Sequence, residues 1–143
     1  MEFIARSRAV STRWLPLAAM IAGGAGCALV LRRVNPYAAH SPLPHCPFHA
    51  LTGLYCPGCG STRALYWLVH GDVAHALALN PLLVIALPFV LLMTLHIAGW
   101  RPRALDPLMR ILGNPKVWLF VLIGFGVLRN LPFAPFSALA PGR

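Results

Sequence analysis

Acidic residues are almost missing. The 143-residue chain has three of them, Glu2, Asp72 and Asp106, and charged residues of either sign make up only 10% of its length. A soluble domain carries about a quarter of its residues as charge, and the 58% hydrophobic content is more than a soluble fold of this size can hide. No two carboxylates lie close in sequence, so paired acid–base catalysis has no residues to rest on. A phosphate-cradling glycine loop, a nucleophile elbow and a zinc-protease helix are also lacking, which excludes the usual hydrolase and nucleotide-driven mechanisms. Gly60 stands where covalent haem attachment after a C-x2-C pair requires histidine. These absences lean away from an enzyme.

The chain does have basic residues, 12 lysines and arginines giving a net charge of +9. They flank apolar runs instead of gathering on one surface with aromatics, which argues against a nucleic-acid partner and for a lipid bilayer with anionic headgroups. The first run, residues 14–31 (WLPLAAMIAGGAGCALVL), is bracketed by Arg13 and by Arg32 and Arg33; about 18 residues suffice to cross the hydrocarbon core. Gly24 to Cys27 fits a lipoprotein cleavage box badly, and the apolar run continues past Cys27, so the segment reads as a retained span. The second span, residues 81–100, opens on Asn80-Pro81, contains Pro88 as a kink site, and closes on Trp100 at the interface. The third, residues 116–133, crosses only if Asn130 and the residues after it continue the short apolar stretch. Gly124 and Gly126 in it offer close approach to another helix, and Cys27 reads as a small helix-packing residue. The expected fold is thus a single all-α membrane domain over 1–143, with about three transmembrane helices.

With the N-terminus inside, Arg6, Arg8, Arg13, Arg101, Arg103, Arg110 and Lys116 fall on the cytoplasmic side, against Arg32, Arg33, Arg63, Arg129 and Arg143 outside. This bias favours an N-in multi-pass protein of the bacterial inner membrane, its first long connection on the outer face.

That connection holds the informative segment, residues 46–79. Cys46-Pro47 is followed by Cys56-Pro57-Gly58-Cys59-Gly60-Ser61-Thr62-Arg63. A helical pattern begins at Ser61, with Ser61 or Thr62 available as its cap, and stops at Gly71; Asp72 can cap a second short helix that runs to Asn80-Pro81. These short helices are expected at the interface or re-entrant. Arg63 and Asp72 flank the first of them as a potential pair, or as two interfacial charges in water.

The run CPGCGSTRALYWLVHGDVAHALALNP resembles the domain of unknown function 2752, a family of small bacterial membrane proteins with a Cys-Pro-x-Cys-Gly-x-Thr-Arg core, a Gly-Asp step and an Asn-Pro entry into a span. The resemblance implies no activity or cofactor. It marks Cys46, Cys56, Cys59, Gly60, Thr62, Arg63, Gly71, Asp72, Asn80 and Pro81 as site or architecture residues.

The chemistry of the motif has three readings. Cys46, Cys56 and Cys59, completed by His49 or His45, make a donor set suited to tetrahedral zinc, although no second C-x2-C pair is present. Alternatively, Cys56 and Cys59 are a redox pair of a membrane thiol-disulfide oxidoreductase. The third reading is a structural disulfide or packed thiols. The leading expectation is a noncatalytic membrane component whose cysteine segment is structural or metal-binding and docks a protein partner. His70 and His75 are expected at headgroup level.

Overall fold

The computed structural model describes residues 14–38 and 46–140, and among them every regular element is helical. Helix α1 (Leu15–Arg33) starts with proline in its first turn and ends on the arginine pair. Two of the helices, α1 and α5 (Pro81–Ala98), are long and apolar enough to cross a membrane. Between them come α2 (Pro47–Thr52), α3 (Ser61–Val69) and α4 (Val73–Leu79).

The starts of these helices follow from their sequence. Asp72 caps α4 by accepting the His75 backbone N–H at 2.9 Å, and Asn80 caps α5 by accepting from Leu83 N–H at 3.0 Å. Each cap supplies an acceptor to backbone donors that the first turn leaves unpaired. Helix α3 differs from expectation: neither Ser61 nor Thr62 caps it. Its N-cap is Gly60 with φ +82°, a left-handed conformation that glycine adopts without steric cost. Gly71 (φ +84°) ends the turn after α3 as expected.

The third apolar region also departs from expectation. Helix α7 (Pro115–Leu128) stops five residues short of the expected 133, because Asn130 folds its side-chain amide back onto the Gly126 carbonyl at 2.7 Å. Pro132 and Pro135 follow, and neither has a backbone N–H to extend the ladder. A short helical turn (Arg103–Leu105) and α6 (Asp106–Leu112) precede α7 across a break with a 59° bend, and only together does this pair pass as a span. Asn114 caps α7 through the Lys116 N–H, and the Trp118 indole donates across the bend to the Leu112 carbonyl at 2.7 Å.

Little is buried along the long helices. Ile21, Leu29, Ile85 and Ile97 are all more than half exposed, and Cys27, expected as a packing residue, is exposed too among the described residues. The threonine of α5, Thr94, touches α1 through the Met20 sulfur at 3.3 Å. Most buried residues lie elsewhere: Ala64 and Ala76 in the short helices, Cys59 in the loop before them, Leu112 at the end of α6, and the polar pair Asn80 and Arg129, while the long helices bury only Leu31 and Ala98 near their ends. The core of this protein is the layer around the cysteine segment.

Candidate metal centre

The three cysteines are brought together by two tight turns. Cys46 precedes α2, whose last residue, Thr52, donates to the Phe48 carbonyl at 2.7 Å and accepts from the Leu54 N–H. Gly53 (φ +72°) then reverses the chain. At Tyr55 the backbone is gripped by a side chain from the far end of the sequence: Asn130 accepts the Tyr55 N–H and donates to the Tyr55 carbonyl, both at 2.8 Å. This two-pronged contact imitates strand pairing. A further turn, Cys59 N–H to Cys56 carbonyl at 3.0 Å, folds the second and third cysteines onto each other.

The outcome is a sulfur triangle. Cys56 Sγ lies 3.4 Å from Cys46 Sγ and 3.3 Å from Cys59 Sγ, and all three sulfurs fall within 4.8 Å of one another. A disulfide needs about 2.05 Å, and all three thiols are free. Thiolates bound tetrahedrally to one zinc, with Zn–S near 2.3 Å, sit about 3.8 Å apart. The two edges at Cys56 are about half an ångström shorter than that spacing, and the third lies within 4.8 Å, so the trio is compact enough to close on one ion.

The environment makes the thiols unequal. Cys46 is lowered to about 7 by hydrogen bonding from the His49 backbone and from the other two cysteines. Burial and the shared sulfur hydrogen bonds push Cys59 up to about 12. At neutral pH the partly exposed member of the trio is ready to act as a thiolate, while the buried one keeps its proton until something displaces it.

The loop that carries Cys56 and Cys59 turns its carbonyls inward, where two buried side chains receive them. Arg129 donates to the carbonyls of Cys56 (2.9 Å), Pro57 (3.2 Å) and Cys59 (3.1 Å). Asn80, besides capping α5, donates to the Pro57 carbonyl and to Ser61 Oγ, both at 3.0 Å. The rings of Phe125 and Tyr55 flank the guanidinium at 4.9 and 5.9 Å. Helix α7 can approach so closely because of Gly126: a Cβ there would sit 3.1 Å from Pro57 Cγ. Of the two glycines expected to admit another helix, Gly126 alone makes a close approach, and it is to the cysteine loop; a Cβ at Gly124 would meet nothing within 4 Å.

The other expected site residues are spread more widely. His49 is exposed, stacks on Tyr55 at 4.5 Å and points Nδ1 at the Leu54 carbonyl, 3.2 Å away; it does not share the sulfur cluster. His45 lies outside the described residues. Arg63 and Asp72 do not pair. Arg63 lies over the Tyr37 ring at 5.5 Å, while Asp72 contacts the His75 ring at 2.7 Å. The cap geometry already aims Asp72 along its own helix, three residues on. The hydrogen bonds and the His75 ring hold the Asp72 carboxyl below its ordinary range. Thr62 is exposed, and Gly71, Asn80 and Pro81 form the turn and cap described above.

Arg129 and Asn130 have no place among the expected site residues. By position Arg129 is a charge at the end of an apolar run, the usual mark of topology control. The signal that distinguishes it is the polar pair Arg129-Asn130 between an apolar helix and two prolines, since a charge at membrane depth demands internal partners.

Fold and site together define a helical protein with two membrane-length helices and a three-cysteine cluster that could hold a metal ion. The family model described as "Protein of unknown function (DUF2752)" matches residues 46–94, so the resemblance seen in the cysteine segment is borne out. The match runs from the first cysteine of the triangle through α5 as far as Thr94. No curated protein and no solved structure matches the chain.

Proposed function

We propose that the protein is an integral component of the bacterial inner membrane in which Cys46, Cys56 and Cys59 bind a single zinc ion. The observation that carries this reading is the triangle itself, three sulfurs within 4.8 Å. One disulfide uses two sulfurs and leaves the third idle, whereas a metal ion uses all three. Zinc suits a thiolate set with one position left over, and it needs no redox partner.

The exposed apolar surfaces of α1 and α5 support insertion in a bilayer. The arginine bias supports an N-in topology, with the cysteine layer on the outer face and available to a protein partner. In this reading the metal fixes a loop that otherwise depends on contacts from distant parts of the chain, and the role is structural or docking, not catalytic.

A thiol-disulfide oxidoreductase is the second reading. It is favoured by the position of Cys56 between two sulfurs at nearly equal distance and by the lowered Cys46. Metal analysis of the purified protein, combined with mass-tag counting of free thiols, separates the two. One zinc per chain, lost in Cys56→Ser, is the expected result. A metal-free protein whose Cys56–Cys59 disulfide opens and closes with reductant would establish the redox reading instead. Topology is read separately: a phosphatase fused to the C-terminus is expected to be active, and a cytoplasmic fluorescent fusion there dark.

A further inference from the structure

We infer that Arg129 is the counter-ion of the three-thiolate site and so determines what that site takes: a divalent ion whose remaining position is filled by a neutral donor. The inference rests on the metal reading above. Arg129 is 1% exposed. Its guanidinium keeps its charge, because it does not deprotonate under protein conditions. A buried charge is costly unless an opposite charge and a full set of hydrogen bonds compensate it.

The hydrogen bonds fall short. Two of the guanidinium nitrogens reach loop carbonyls, but Nε is buried with no acceptor among the described residues. The counter-charge is also missing among carboxylates, since the ion pairs of the described residues contain none to Arg129. The groups that can supply negative charge here are the sulfurs of Cys56 and Cys59, the residues whose carbonyls Arg129 already holds.

Charge bookkeeping then restricts the occupant. Three thiolates around a divalent ion carry one net negative charge, which the guanidinium cancels. A monovalent ion, or an anionic fourth ligand on a divalent one, leaves an uncompensated negative charge beside buried Cys59. Water, a neutral imidazole or a thioether leaves the centre balanced. Arg129 touches backbone carbonyls and no ligand atom, so it acts as a positioning and specificity-determining residue.

The test uses the full chain in detergent micelles with Co(II) as the probe, followed by its thiolate-to-cobalt absorption. Arg129→Gln is expected to weaken Co(II) binding by about 10–100-fold, the usual range for a supporting contact, with Arg129→Lys staying within about threefold of wild type. An Arg129→Lys protein as weak as Arg129→Gln, or an Arg129→Gln protein as tight as wild type, would overturn the counter-ion role.

A second arm needs no variant. In mildly alkaline buffer, where imidazole is neutral, imidazole is expected to perturb the visible bands of the wild-type Co(II) complex, and azide at equal concentration to leave them unchanged. Azide binding as readily as imidazole overturns this inference alone. A wild-type protein that binds no Co(II) overturns the metal reading and this inference with it.

Discussion

The long helices and the cysteine layer between them are held by different kinds of force. Along α1 and α5 the side chains are apolar and largely exposed, and among the described residues Thr94 to Met20 is the hydrogen bond that joins them. Such surfaces suit a hydrocarbon solvent, which tolerates one apolar side chain nearly as well as another. In the cysteine layer the contacts are directional, long in sequence and buried: Arg129, Asn80 and Asn130 together hold the backbone from Tyr55 to Cys59. The long helices offer apolar surface, and the layer holds the geometry of the cysteine cluster.

This contrast is open to measurement by heat-induced loss of helicity in micelles. The largest effect is expected for Arg129→Met, which removes three charge-assisted hydrogen bonds to the loop carbonyls of Cys56, Pro57 and Cys59 and should destabilise by about 3–5 kcal/mol. Asn80→Ala removes an α5 cap and two loop contacts together, for a loss of about 2 kcal/mol or more. Gly126→Val drives a branched side chain into the Pro57 ring, costing about 1–3 kcal/mol and loosening the thiol triangle.

At the small end lies Asp72. Its depressed carboxyl contributes stability at pH above the ordinary carboxylate range, and that contribution is lost as pH falls through the still lower folded value. Asp72→Asn should therefore lower stability slightly near neutrality and leave it unchanged at strongly acid pH, which flattens the acid limb of a stability–pH curve. Smallest of all is Phe120→Leu in α7, on a side chain 72% exposed, where a change within about 0.5 kcal/mol is expected. A Phe120 effect as large as that of Arg129 would break the comparison.

Legibility in the sequence follows the same division. Apolar length and flanking arginines locate α1 and α5 closely, because those features are local and a bilayer reads them locally. The caps at Asp72 and Asn80 were equally plain, each being a side chain bonded a few residues ahead. The cysteine triangle was readable as a donor set, but its clamp was not. Arg129 and Asn130 reach back more than 70 residues to Tyr55 and Cys56, and no periodicity encodes such a contact. The α6–α7 bend was hidden for a similar reason: a short apolar stretch can be continued at either end, and it is the Asn130 fold-back onto Gly126 that ends α7 there. His49 sits near the cysteines in sequence, yet its ring is turned onto Tyr55.

The central claim, that the three cysteines hold one ion together, is tested most directly by X-ray absorption at the zinc edge on the purified full-length protein. The expected spectrum has three sulfur neighbours at about 2.3 Å and one lighter atom at about 2.0–2.2 Å, with a sulfur lost in each of Cys46→Ser, Cys56→Ser and Cys59→Ser. A zinc ion with no sulfur neighbours, or a preparation without zinc whose cysteines have paired, would contradict it.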